Sequence, residues 1–408
     1  MRRYLAATSL GLLAWMAIGQ ASAQVSVSPS PGDGTGSVQP SPGPVANSGG
    51  VTSSQAQASN GRAHAKIDFV NAKSVALPAV APRSELQAYY DLMDALQPRA
   101  QQLGQAGFSP GADGHGRMAP VHLGAPAAAA ASAEEVAPQE FGTTNHPFST
   151  ARADLYAFTT TSAYPYRASG KLFFNIGTST YVCSASLIKR GVVVTAAHCV
   201  ANFGRSQFYS GWSFVPAYSN GVAPYGVWSA SSATVMTSYF NGTDPCAVPG
   251  VVCQNDVAVL LINPNAAGAY PGTATGWYGY GYNGYGFTGG GLTQITQIGY
   301  PVCLDNGGLM QRNDSYGYVS AANSNNTIIG SLMCGGSSGG PWLANFGIRP
   351  ALTATTAGTA ADPNVVIGVT SWGYTSTLPK EMGAAPFTTG NIVPLVNAVC
   401  SAVPAACS

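Results

Sequence analysis

The sequence predicts an all-β fold of two antiparallel barrels with a cleft between them, and three observations point to it. From about residue 150 onward, short runs rich in Val, Ile, Thr, Tyr and Phe alternate with Gly, Asn, Ser and Pro turns, as in Val192-Val193-Val194-Thr195 and Val365-Val366-Ile367-Gly368-Val369-Thr370. The roughly 250 residues of that stretch are enough to bury a sizeable core. Charged residues make up only 8% of the chain, a sparseness that suits a β-rich protein.

Taken in order, the chain opens with Arg2-Arg3, an apolar run from Leu5 to Ile18 and the small residues Ala21-Ser22-Ala23. This pattern predicts a signal peptide over residues 1–23, removed after Ala23. The apolar run is shorter than the roughly 20 residues that span a bilayer, so no membrane anchor is expected. Residues 24 to about 60 are rich in Ser, Pro, Gly, Gln and Ala and have little to bury, which predicts disorder. Leu86, Tyr89, Tyr90, Leu92, Met93 and Leu96 then recur at near-helical spacing, with Ser84 and Gln87 resembling a capping box. The spacing predicts a helix over 84–103, either in a propeptide that assists folding or covers the cleft, or as a marginal amphipathic turn in a linker. An alanine-rich join, Ala125 to Ala131, follows. Residues 24–149 are therefore read as a propeptide or low-complexity linker, and 150–408 as the folded domain.

Three segments within that domain carry chemistry: Thr195-Ala196-Ala197-His198-Cys199, Asn255-Asp256-Val257-Ala258-Val259-Leu260, and Cys334-Gly335-Gly336-Ser337-Ser338-Gly339-Gly340-Pro341. Alone, each has an ordinary reading: a buried histidine beside a structural cysteine, a strand-edge aspartate, a glycine-serine linker. Together, in this order, they suggest His198, Asp256 and Ser338 acting as one unit. A serine hydroxyl is a poor nucleophile until an imidazole takes its proton, and a carboxylate must fix that imidazole's tautomer. The glycines let the chain curl so that the Gly336 and Ser338 N–H groups converge on a developing oxyanion.

These residues resemble those of the chymotrypsin-like (trypsin-fold) serine peptidases, of the secreted bacterial type, over roughly residues 155 to 395. Cys183-Ser184-Ala185-Ser186-Leu187-Ile188 resembles the strand before the histidine, Gly276-Trp277 a strand-start pair in the second barrel, and Ile298-Gly299-Tyr300-Pro301 a stretch of bacterial glutamyl-peptidase relatives. Ser371-Trp372-Gly373 resembles the segment that runs antiparallel to a bound peptide. The resemblance implies two six-stranded barrels, an active site between them, and an endopeptidase that works through an acyl-enzyme. It also implies a Cys183–Cys199 disulfide, and places Leu332 and Met333 at the base and wall of the primary specificity pocket. Apolar Leu332 leaves a basic substrate side chain unpaired, and no histidine beyond His198 is left to meet an acidic one, so an uncharged residue before the cleaved bond is expected. Ser337 departs from the family's commoner pattern. An aspartate there receives the amino terminus freed by zymogen cleavage, and a serine cannot form that ion pair.

The five histidines are His64, His115, His122, His146 and His198, so only His198 lies in the resembling region. That count argues against a histidine-containing zinc site there, and neither metal nor cofactor is expected. Eight cysteines in an exported chain fit four disulfides. Beyond the pair implied by the resemblance, spacing suggests Cys246 with Cys253 and Cys400 with Cys407, leaving Cys303 with Cys334, though sequence alone leaves these open. A net charge of +1 with no basic tract excludes a nucleic-acid footprint. The expected partner is a protein or peptide substrate outside the cytoplasm, extracellular or periplasmic; oligomeric state is not readable. The Tyr/Gly stretch Tyr278 to Tyr285 reads as a surface loop meeting substrate or glycan, or as a loop and strand edge with no ligand. It supplies the alternative function, a catalytically silent binding protein of the same fold.

Overall fold

The computed structural model describes residues 50–54, 66–80, 105–124, 147–154, 160–288, 291–319, 326–347, 360–374 and 380–408. The signal segment, the helix expected over 84–103 and the alanine-rich join lie outside the described residues.

The first barrel is built from β1 (Ser169–Ile176), β2 (Ser179–Lys189), β3 (Val192–Thr195), β4 (Ser210–Pro216), β5 (Trp228–Met236) and β6 (Ala258–Ile262). They pair in the order β5-β4-β1-β2-β3-β6, and β5 meets β6 to close the ring, every pairing being antiparallel. The second consists of β7 (Leu292–Gly299), β8 (Gln311–Val319), β9 (Thr327–Gly330), β10 (Pro341–Ala344), β11 (Val365–Tyr374) and β12 (Glu381–Pro386). Its order is β10-β7-β8-β9-β12-β11, closed by β10 with β11, again antiparallel throughout. The predicted all-β architecture of two closed six-stranded barrels is the one observed, and it matches the chymotrypsin fold.

β-Branched side chains explain the elements that enclose the core. All four residues of β3 are fully buried and nine of the ten in β11 are buried, so neither run alternates between an inner and an outer face. Trp342, Trp372, Tyr218, Tyr278 and Tyr300 are among the largest fully buried side chains. The C-terminal helix Ile392–Ala402 seals the first barrel with Ile392, Leu395, Val396 and Val399, the i, i+3, i+4, i+7 stripe of an amphipathic helix. Among the described residues no helix is long and apolar enough to cross a membrane.

All eight cysteines are paired, as Cys183–Cys199, Cys246–Cys253, Cys303–Cys334 and Cys400–Cys407.

Two expectations from composition fare differently. Within the stretch read as disordered, Val51–Ser53 forms a strand antiparallel to β5, with Val51 opposite Met236. Its hydroxyls do the work that apolar side chains do elsewhere: Thr52 Oγ1 meets Thr237 Oγ1 and Ser53 Oγ meets Thr234 Oγ1, each at 2.8 Å. In the Tyr/Gly stretch, Gly279–Tyr282 is a strand between β11 and Gly107–Ser109, and Tyr278, Tyr280 and Tyr285 are buried. Its glycines are there for close approach, since a Cβ on Gly281 would stand 2.5 Å from the Tyr285 ring.

Candidate active site

Each barrel contributes to one polar cluster. His198 sits on the 3-10 turn Ala197–Cys199 directly after β3, and the Cys183–Cys199 disulfide ties that turn to β2. Asp256 ends the connection into β6, and its Oδ1 accepts the His198 backbone N–H at 2.9 Å. Its Oδ2 lies 2.8 Å from His198 Nδ1 and accepts the Ser371 hydroxyl at 2.6 Å. An ionised carboxylate only accepts, so Nδ1 carries the ring proton and Nε2 is left as the proton acceptor. Ser371 comes from β11, so the carboxylate is gripped from both barrels.

Ser338 lies in the turn before β10. Its carbonyl accepts the Ser184 N–H at 2.7 Å, and the Gly339 N–H donates to the Thr370 carbonyl at 2.8 Å. Gly339 has φ +76°, and a Cβ there would stand 2.0 Å from Thr195 Oγ1 and 2.7 Å from Ala196 N. Only glycine lets the serine turn come this close to the strand that carries His198. Among the described residues, the Ser338 hydroxyl and His198 Nε2 are two of the few buried side-chain atoms without a hydrogen-bond partner. The structure thus joins His198 to Asp256 directly and does not join Ser338 to the ring. Such contacts often tighten only when substrate binds.

Gly336 (φ +93°) bends the loop so that its carbonyl accepts the Ser184 hydroxyl at 2.8 Å. That hydroxyl in turn accepts the Tyr300 N–H at 2.9 Å. Among the described residues the Gly336 and Ser338 N–H groups donate to no protein acceptor. Ser337 turns back on its own loop, its hydroxyl donating to the Cys334 carbonyl at 2.6 Å.

Leu332 and Met333 line a cavity of about 280 Å³, together with Met382, Gly373, Lys380 and Glu381. Trp372 is fully buried, its Nε1 donating to Asn326 Oδ1 at 2.8 Å, so it stiffens the β11 edge from within. The Gly373 N–H, expected to face a substrate, donates at 2.9 Å to the carbonyl of Pro78, which precedes both barrels in the chain. Two contributions escaped the sequence reading: the Ser371 side chain, considered only for its backbone, and Ser184. Ser337 was the available signal for the second, because a loop without its usual anchor needs another.

Two groups of neighbouring metal-type donors occur among the described residues, Cys183/His198/Cys199 and Asp244/Cys246/Cys253. In each, the two cysteines are joined to one another, which removes their thiolates as ligands.

Two closed barrels with a histidine, a carboxylate and a serine at their junction define a chymotrypsin-fold protein. The family model described as Trypsin matches residues 158–391, and the chain belongs to that family of serine proteases. Over 126 residues it is 29% identical to an extracellular metalloprotease of Bacillus subtilis (strain 168), covering 29% of this chain and 34% of that protein; the chain thus spans about a third of this curated relative. Similar solved structures include the protease Anisep of Arthrobacter nicotinovorans (27% identity, 59% of this chain, 96% of that one, TM-score 0.44). Another is the thermostable serine protease AL20 from an extremophilic microorganism (24% identity, 57% and 96%, TM-score 0.44). A Glu endopeptidase is 19% identical, at 62% and 96% coverage and a TM-score of 0.44.

Proposed function

We propose that the chain is a secreted serine endopeptidase made with a signal peptide over residues 1–23 and a leader over 24–149. Ser338 is the nucleophile, His198 the general base and acid, and Asp256 the group that orients the ring. The observation that carries this reading is the double grip of Asp256 on His198, through backbone N–H and Nδ1, with Nε2 left without a hydrogen-bond partner among the described residues. His198 Nε2 takes the Ser338 proton as the hydroxyl oxygen attacks the peptide carbonyl. The Gly336 and Ser338 N–H groups stabilise the oxyanion, and the proton passes to the leaving amine as the acyl-enzyme forms. Water, activated by the same ring, then releases the acyl group. Leu332, Met333 and Met382 form an apolar side of the cavity that Lys380 and Glu381 also line, and that apolar side supports cleavage after an uncharged residue.

Fluorophosphonate labelling of the secreted protein, with peptide mapping, tests this. Label is expected on Ser338 and on no other serine, with labelling and peptide hydrolysis both abolished in Ser338→Ala. A folded, processed protein that neither labels nor hydrolyses peptides sinks the reading and leaves the silent binding protein.

A further inference from the structure

The cleft between the barrels is crossed by the chain's own leader. Lys73 and Ser74 pair with β2, opposite Tyr181 and Val182, and the Val75 N–H donates to the Val182 carbonyl at 3.3 Å. The Val75 carbonyl then lies against the oxyanion loop, 3.0 Å from where a Cβ on Gly335 would stand. Leu77 packs on β11, its Cδ2 being 2.7 Å from an ideal Cβ on Gly373, and Leu77 and Ala79 line the same cavity as Leu332 and Met333. Pro78 accepts the Gly373 N–H, and Ala79 and Val80 pair with Gly373 and Tyr374. Beneath this crossing Ser338 is fully buried and His198 is 8% exposed.

The direction of the crossing decides its consequence. A substrate of this fold lies antiparallel to the Ser371–Gly373 edge, whereas Ala79–Val80 runs parallel to it. Strand addition at this edge needs only main-chain donors and acceptors plus a pocket for alternate side chains, and both polarities can satisfy that. Catalysis is less tolerant. A reversed chain swaps the acyl and amine sides of every bond relative to the serine and the oxyanion donors, so it fills the cleft without offering a bond in attack geometry.

We propose that residues 74–80 form an in-chain inhibitory strand, bound in the candidate substrate cleft with reversed polarity, and that the β11 edge therefore has a second binding mode for an extended, uncharged, proline-containing peptide. The segment Ser74-Val75-Ala76-Leu77-Pro78-Ala79-Val80 carries no charge, which matches the apolar part of the pocket it enters. The inhibitory consequence rests on the peptidase reading above; the binding mode does not.

The test uses the full chain and two readouts. Leu77→Asn puts an uncharged polar amide against Leu332 and Met333, offers no carboxylate to Lys380 and no cation to Glu381, and should expel the strand; Leu77→Ser is the milder variant should the first fail to fold. Val121→Glu, at an exposed position on another leader strand, is the control. Deuterium uptake by peptides covering 371–374 is expected to be slow in the parent and the control and at least ten times faster in the Leu77 variants. Fluorophosphonate labelling of the uncleaved chain is expected to follow the same order, with residues 74–80 left uncut. Equal uptake in parent and Leu77 variants overturns the binding mode. Equal labelling rates, or a cut within 74–80 as activity appears, overturn the inhibition. If uptake changes as expected and no form of the protein ever labels, the peptidase reading fails while the reversed strand stands.

Discussion

Ser184 shows how one hydroxyl can take over the task of an ion pair. Ser337 has no carboxylate to receive a new amino terminus, yet the neighbouring Gly336 carbonyl is fixed by the Ser184 hydroxyl, which is itself fixed by the Tyr300 N–H. Fixing that carbonyl fixes the peptide plane it shares with the Ser337 N–H, the plane that lies between the Gly336 and Ser338 N–H groups along the loop. Ser184→Ala leaves the Tyr300 N–H and the Gly336 carbonyl unpaired, at a cost of about 1 to 3 kcal/mol for each group that stays unpaired. Ser184 acts through the loop and touches no reacting atom, so it is a positioning residue. The expected outcome is a fall in kcat of about 10- to 100-fold with KM nearly unchanged, smaller than the roughly 100- to 1,000-fold loss when an oxyanion donor is removed outright. Steady-state peptide hydrolysis separates the two constants; a rise in KM alone would place Ser184 in substrate binding.

Elements were legible in the sequence where side chains build them and hidden where the backbone does. The valine-rich β3 and β11 and the three motifs are written in side-chain type, so their positions follow from the residues. The strands at 51–53, 73–74 and 79–80, which precede the barrels in the chain, are two or three residues long and are held by main-chain pairing, which leaves no periodicity to read. The Tyr/Gly stretch misleads for the opposite reason: its glycines mark tight packing as readily as an open loop. Gly339 in the turn between Ser338 and β10 makes the same point with a measurable cost. Alanine at φ +76° costs about 1 to 2 kcal/mol in backbone strain alone, before the collision with Thr195 Oγ1. Gly339→Ala is expected to lower soluble yield and abolish Ser338 labelling. Gly390→Ala, where the nearest atom is Thr388 Oγ1 at 3.5 Å, is expected to change neither. Equal yields and labelling for the two variants would show that the turn has room to spare.

At the scale of the whole molecule, the two barrels are fastened through a few buried polar contacts, among them Asp256 with Ser371, Ser184 with Gly336, and Lys171 with Gly307. The Lys171 contact carries a pH signature. Its Nζ donates to the Gly307 carbonyl at 2.8 Å and lies 4.9 Å from the Tyr218 ring centroid and 5.5 Å from that of Phe173. Among the described residues no carboxylate pairs with it, and burial pushes its pKa down from 10.5 to about 7. In the unfolded chain the amine keeps its proton up to about 10.5. Between about pH 7 and 10.5 the unfolded state therefore binds more protons, and this group's contribution to stability rises with pH. Below about 7 both states are protonated and the full cost of burying the charge is felt. The Tyr218 phenol beside it is also pushed up by burial and stays neutral across most of that window. Lys171→Met removes the charge and keeps the stem, at the expense of leaving the Gly307 carbonyl unpaired. Relative to the parent, the variant is expected to gain roughly 1 to 4 kcal/mol at pH 6, less the unpaired carbonyl, with the gain vanishing toward pH 10. Urea unfolding of parent and variant across this range, disulfides intact, gives the difference directly. A difference independent of pH would mean that Lys171 keeps its proton in the folded protein, and that the contact joining the barrels is a buried cation on a carbonyl.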